Sequence, residues 1–300
     1  MIYIILSIIC FSMLTLSLKI SGVRGANNDH VVLINYVTAF IVSLIISISN
    51  GYFEVFSHMG ELEISTVFTE KTLAGTGFLI LIVGMVSGFS FPFNLLKIKD
   101  SISANGSAIT SFFKQISTLG GLMVAIVFMG ERPGIIQVIG IILMATAIFL
   151  MVSDFKHLEI KDGILLLLIF ISGTIMETGN KLISKYAITG YNTAYLTVLF
   201  GIALIFILIH IYKVENGKLK AFSVKDIFYG ALLGLSNLGN NFFKIKALEV
   251  MPASVVIPVV AGGALIITSL VGILFFKEKA NKLYVLALVL AVASLFLLNM

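Results

Sequence analysis

Asn94-Leu95-Leu96-Lys97-Ile98-Lys99 and Asn241-Phe242-Phe243-Lys244-Ile245-Lys246 are one short pattern written twice, 147 positions apart. The same step carries Glu131 onto Glu278 and Arg132 onto Lys279, with no gap between the two landmarks. A constant step over that length is the trace of an internal duplication. The chain that carries it is strongly apolar. Of its 300 residues, 59% are hydrophobic and only 12% are charged, and the mean hydropathy is +1.09. So few charges cannot cover a water-soluble protein of this size, so the solvent it is built for is lipid.

Apolar runs of about 20 residues cross a bilayer as helices. The sequence predicts ten: 2–20, 31–50, 73–96, 103–129, 134–152, 163–184, 191–212, 226–246, 252–276 and 282–299. The charged stretch 153–162 divides them five and five, giving a first repeat over 1–152 and a second over 163–300. An odd number of crossings per half brings the second half in from the opposite side. The expected fold is therefore an all-α membrane protein of two inverted five-helix repeats, the pattern of secondary transporters that work by alternating access.

Several features bound the function. The net charge of +5 reads as Lys and Arg flanking the spans, not as a nucleic-acid surface. The lone Cys10 offers neither a disulfide framework nor a zinc signature. His30, His58, His157 and His210 fall in connectors or at helix ends without metal-ligand spacing. No phosphate loop or nucleophile elbow is present, so the expectation is a non-enzyme without metal or cofactor. Its partners are the bilayer and a small-molecule substrate, and homo-oligomerisation stays open.

Ionisable residues inside spans are costly and mark function by default. Lys114 is predicted about eleven positions into its helix, about 16 Å deep and near the midplane. Ser107, Ser111, Lys114, Thr118 and Gly121 share helical spacing as one small, polar stripe, with Gln115 at its border. On the sixth helix Glu177 is flanked by Gly173, Asn180, Lys181 and Ser184. Lys114 suits an anionic substrate group. Glu177 suits a substrate ammonium, a coupling proton, or neutralisation of Lys114 when substrate is absent. Both also have a structural reading: a snorkelling lysine, and an i, i+4 pair between Glu177 and Lys181. Neither Lys114 nor Glu177 has a charged counterpart in the other half, as an asymmetric substrate requires. Lys19 aligns with Lys181 and shares a gating or structural role with it. Lys97, Lys99, Lys244 and Lys246 recur in both halves and read as helix ends.

On the eighth helix Asn237, Asn240 and Asn241 present a polar face, for substrate or for interhelical hydrogen bonding. Tyr36 is a further cavity candidate. Pro258, inside the ninth helix, is a kink or a gate. Gly84-xxx-Gly88 and Gly230-xxx-Gly234 are faces for close helix packing. Glu131 and Glu278 are expected to organise the turns into the helices that follow them.

The ten spans and paired segments resemble the drug/metabolite transporter superfamily, specifically its EamA-like domain. The resemblance rests on Gly130-Glu131-Arg132-Pro133 after the fourth span, with Gly140 in the helix that follows, and on Lys277-Glu278-Lys279 in the second half, where that Gly is lost. It covers essentially the whole chain. It implies helices 1–4 and 6–9 around a central cavity that Lys114 and Glu177 could face. Members that carry nucleotide sugars have an Asn-Lys pair on the ninth helix; Gly262-Gly263-Ala264-Leu265 lacks it. The expectation is a carrier of a small polar metabolite, with an amino acid or related zwitterion leading, in a bacterial cytoplasmic membrane. A multidrug exporter and a non-transport assembly subunit are the rivals. Lys and Arg number six in loops on the side of the termini and thirteen on the other, which places both termini outside, against the habit of the family.

Overall fold

The computed structural model describes residues 1–151, 160–217, 221–277 and 282–298, with Ser107, Ala108 and Met151 described in their backbone only. Among these residues there are ten α-helices and no strand: α1 (Ile2–Val23), α2 (Asn28–Ser49), α3 (Leu73–Asn105), α4 (Ser107–Phe128), α5 (Ile135–Met151), α6 (Gly163–Tyr186), α7 (Asn192–Val214), α8 (Val224–Val250), α9 (Ala253–Phe276) and α10 (Lys282–Leu298). Seven of them, α1–α4, α6, α7 and α9, are long and apolar enough to cross a membrane. This is the architecture of an integral membrane protein. Helices α5 and α10 are apolar but have 17 residues each. The 27 residues of α8 are diluted by Asp226, Lys244, Lys246 and its asparagines.

The helix boundaries near the repeated pattern differ from expectation. A helix end was expected near residue 96, yet α3 continues for 33 residues to Asn105. Lys97 donates to Asp100 at 2.7 Å, an i, i+3 pair that lets charge ride on a continuing helix. The break comes at Gly106, whose φ of 84° lies in the region glycine tolerates. Lys97 and Lys99 therefore do not mark a helix end. Neither does Lys244, which is buried within α8 with its ammonium 5.7 Å from the ring centre of Phe11. The later start of α4 also moves Lys114. It lies seven residues from the helix start, about 10 Å in rather than about 16 Å.

The chain divides into two compact units, and each takes helices from both halves of the sequence. Unit 1 comprises Met1–Pro92 and Leu182–Glu249; unit 2 comprises Phe93–Lys181 and Val250–Met300. In unit 1, α2 and α7 run antiparallel: Ser47 meets Thr197 at 3.1 Å, and Gly201 lies against Phe40. The two expected glycine faces are packing surfaces. A Cβ on Gly84 would come within 2.8 Å of Val198 on α7, and one on Gly234 within 2.6 Å of the Asn35 carbonyl on α2. The connector 51–72 is built of 3₁₀ turns and buries Val55 and Val67 completely.

In unit 2, α5 and α10 pair antiparallel. Ser294 donates to the Gly140 carbonyl at 2.7 Å, while Met144, Ala147 and Ile148 share a core with Ala291. Helices α4 and α6 run parallel and very close. A Cβ on Gly121 would run into the Cβ of Glu177, and one on Gly173 into the Ser117 hydroxyl. Both pairs are 56 positions apart, the step that also separates the first residues of α4 and α6, Ser107 and Gly163. The two helices therefore start level and stay in step.

Candidate functional site

Small residues decide the α4–α6 contact. Gly120, Gly121 and Gly173 remove the side chains that would hold two helices apart, so backbones approach as they do at membrane-helix crossings. The Thr174 hydroxyl reaches toward the Ser117 carbonyl at 3.4 Å, and Ser117 turns its own hydroxyl onto the Lys114 carbonyl at 2.6 Å. From α3, Asn94 donates to the Ile169 carbonyl at 2.9 Å and to the Ser172 hydroxyl at 2.8 Å.

Lys114 lies seven residues, about two turns, before Gly121 and so on the α4 stripe that faces α6. Its side chain is exposed, as is that of Ser111; Gln115 and Thr118 are half-buried. On α6, Glu177 sits over Gly121 with Oε2 buried, and Asn180 is 1% exposed. The Thr178 hydroxyl beside them has no hydrogen-bond partner among the described residues. Unit 2 thus holds all of Ser111, Lys114, Gln115, Thr118, Glu177 and Asn180 on two adjacent parallel helices, which meet at Ser117, Gly120 and Gly121 on α4 and at Gly173, Thr174 and Glu177 on α6.

Lys181, one turn beyond Glu177, is buried and reaches a second carboxylate. Its ammonium lies 2.6 Å from Oε1 of Glu131. The same carboxylate accepts the first backbone N–H groups of α9, from Ala253 at 2.8 Å and Ser254 at 3.1 Å. Those N–H groups have no intrahelical partner, and the helix dipole adds positive potential there. Burial alone would raise the Glu131 carboxyl. The hydrogen bonds from Lys181, Ala253 and Ser254, together with the Lys181 charge, outweigh it and hold the group below the usual carboxylate range. Glu131 was expected to organise the turn into α5; its carboxylate instead holds α9, a partner more than a hundred residues away. Glu278 lies outside the described residues. Pro258 is buried inside α9.

In unit 1 the α8 asparagines are engaged with protein. Asn237 donates to Asn35 Oδ1 at 3.2 Å and accepts from Asn241 at 3.0 Å. Ser7 on α1 donates to Asn240 Oδ1 at 2.9 Å. Tyr36 is buried, with its ring 6.4 Å from that of Phe200. These contacts fit the interhelical reading of the polar face. Lys19 is half-buried on α1.

Two clusters in unit 1 escaped sequence reasoning. His30 is buried between two carboxylates, with Nε2 at 2.9 Å from Glu215 and Nδ1 at 3.4 Å from Asp226. Asp226 also accepts the N–H groups of Asn27 and Ser223. At the start of α7, the Tyr191 hydroxyl donates to Glu54 of the 51–72 connector, and that contact pushes the phenol up to about 12. Spacing along the chain gives no sign of either, because the partners come from separate elements.

No family model and no curated protein matches the chain. The fold does match solved structures. One, described only as "Crystal structure of protein", aligns with a TM-score of 0.67 over 99% of this chain and 94% of its own, at 11% identity. At that identity the likeness is one of fold alone.

Proposed function

We propose that the protein is a secondary carrier for a small polar metabolite bearing a carboxylate, of the EamA-like kind within the drug/metabolite transporter superfamily. One observation carries the reading. A lysine and a glutamate, Lys114 and Glu177, stand inside two spans that meet at a glycine-lined contact, Glu177 against Gly121 and Lys114 two turns before Gly121 on the same helix. A membrane span tolerates such groups where they serve a substrate or ion path. Lys114 binds the carboxylate. Glu177 holds a substrate ammonium or the coupling proton, and no other cofactor is required.

The helix pairing supports inverted repeats over 1–152 and 163–300. A two-fold axis in the membrane plane reverses helix direction, so equivalent helices that touch must be antiparallel. The second helices of each half, α2 and α7, pair in that way, and so do the fifth, α5 and α10. In this reading α5, α8 and α10 also cross the bilayer. The excess of Lys and Arg in loops opposite the termini places both termini outside.

Counterflow of a mixed amino-acid and metabolite pool in proteoliposomes tests the reading, with wild type beside Lys114→Ala at two pH values. Exchange by wild type and its loss in the variant are expected. Undiminished exchange by Lys114→Ala would remove the central support.

A further inference from the structure

We propose that the connector 51–72 is an interfacial membrane anchor: Ile64 and Phe68 enter the boundary between lipid headgroups and acyl chains, while Glu61, Glu63 and Glu70 stay in water. The inference rests on the membrane class of the chain and not on what it carries. Glu54, Glu61, Glu63 and Glu70 exclude a span here. They do not make the segment a loose loop. Val55 and Val67 are 0% and 1% exposed. A Cβ on Gly77, in the second turn of α3, would come within 2.6 Å of the Val55 carbonyl, and one on Gly75 within 3.7 Å of the Val67 Cα. The connector therefore lies back along the first turns of α3 instead of standing out from them. Glu54 ties it also to Tyr191 at the start of α7.

The depth of this docking follows from α6. Its 24 residues span about 36 Å, against a hydrocarbon core of about 30 Å. Centred in the bilayer, such a helix puts its last residue, Tyr186, about 3 Å outside the core and so within the headgroup layer. Phe68 meets Tyr186 edge-on, with ring centres 5.2 Å apart, and the Lys185 ammonium lies 5.0 Å from the centre of the Tyr186 ring. Tyrosine and lysine at a span end mark the membrane–water boundary. Thr76 of α3 is held at the same level, since its hydroxyl accepts the N–H of Ile188, two residues beyond Tyr186.

At that level Phe68 is 56% exposed and Ile64 74%. Val67 beside Phe68 is sealed, so the segment is docked and still turns two large apolar side chains outward. The Phe68 ring continues the surface of a boundary tyrosine, and the apolar medium at that depth is lipid. Glu61, Glu63, Glu70 and Lys71 are exposed on the same segment. These charges hold such an anchor in the interface and keep it from going deeper.

The chain contains no tryptophan, so Phe68→Trp, Ile64→Trp and Glu61→Trp are single-reporter proteins. The test is the fluorescence of each full-length variant in phosphatidylcholine vesicles, with and without bromine on the upper acyl carbons, and with acrylamide in the water. Phe68→Trp and Ile64→Trp are expected to emit at shorter wavelength than Glu61→Trp, to lose emission in brominated vesicles and to resist acrylamide. Glu61→Trp is expected to do the reverse. The two apolar positions report separately, so a variant that fails to fold leaves the other as the test. Quenching of either by acrylamide as fully as Glu61→Trp would overturn the anchor, because that side chain would stand in water. Resistance to both quenchers would overturn it as well, because protein, such as a second copy of the chain, would then cover the segment.

Discussion

Lys181 Nζ lies 2.6 Å from Oε1 of Glu131, and that carboxylate also accepts the first two backbone N–H groups of α9. Three segments distant in sequence, the α4–α5 loop, α6 and the start of α9, meet at one carboxylate. Removing one partner of a buried pair strands the other charge. Glu131→Gln should therefore destabilise the protein by about 3 kcal/mol. The double variant Glu131→Gln/Lys181→Met should regain part of that loss, as read by thermal unfolding in detergent.

The same pair sets a pH dependence. The folded Glu131 carboxyl titrates below its unfolded value, so the folded state binds its proton more weakly. Its contribution is complete above about pH 4.3, the ordinary glutamate value, and is lost as pH falls through the lower folded value. Acid unfolding of wild type should show this loss, and Glu131→Gln should lack it.

At the α7 entrance the shift has the opposite sign. The Tyr191 phenol, held by Glu54, titrates at about 12. Its contribution is present below the ordinary tyrosine value of about 10 and fades as pH rises toward the folded value. Ultraviolet titration should show one late tyrosine. Glu54→Gln should return it toward about 10.

Gly121 has no room for a side chain against Glu177. Gly121→Leu should force α4 and α6 apart at a cost of about 2 kcal/mol. Binding should weaken as well, because the register of Lys114 and Glu177 is lost. Gly134, which meets nothing within 4 Å, should accept alanine without either effect.

His30 stands between Glu215 and Asp226 in the interior of unit 1. His30→Leu removes the imidazole that both buried carboxylates meet, at a cost of about 2–4 kcal/mol. Adding Glu215→Gln should recover part of it. Full stability of the single variant would show that the cluster does not hold α2, α7 and α8 together.

Apolar runs, a charged midpoint and a pattern repeated after 147 residues are local or periodic properties. They made the membrane class, the helix number and the candidate residues Lys114 and Glu177 legible without coordinates. Boundaries were less legible. Lys97 and Lys99 read as a helix end, yet the Lys97–Asp100 pair rides on a helix that continues to the break at Gly106. That shifted the start of α4 and with it the depth of Lys114.

What the sequence by itself determined is the solvent of the protein, its helices and which of them carry charge, because burial in lipid acts on composition one segment at a time. Only the tertiary structure decided where those charges go. It brought Lys181 to Glu131 at the start of α9, folded the α8 asparagines onto α1 and α2, and set His30 between two distant carboxylates. The physical reason is that a side chain's partner depends on which helices come close and in what register. Here glycine contacts and antiparallel pairing fix that register, and the spacing of residues along one helix does not contain it.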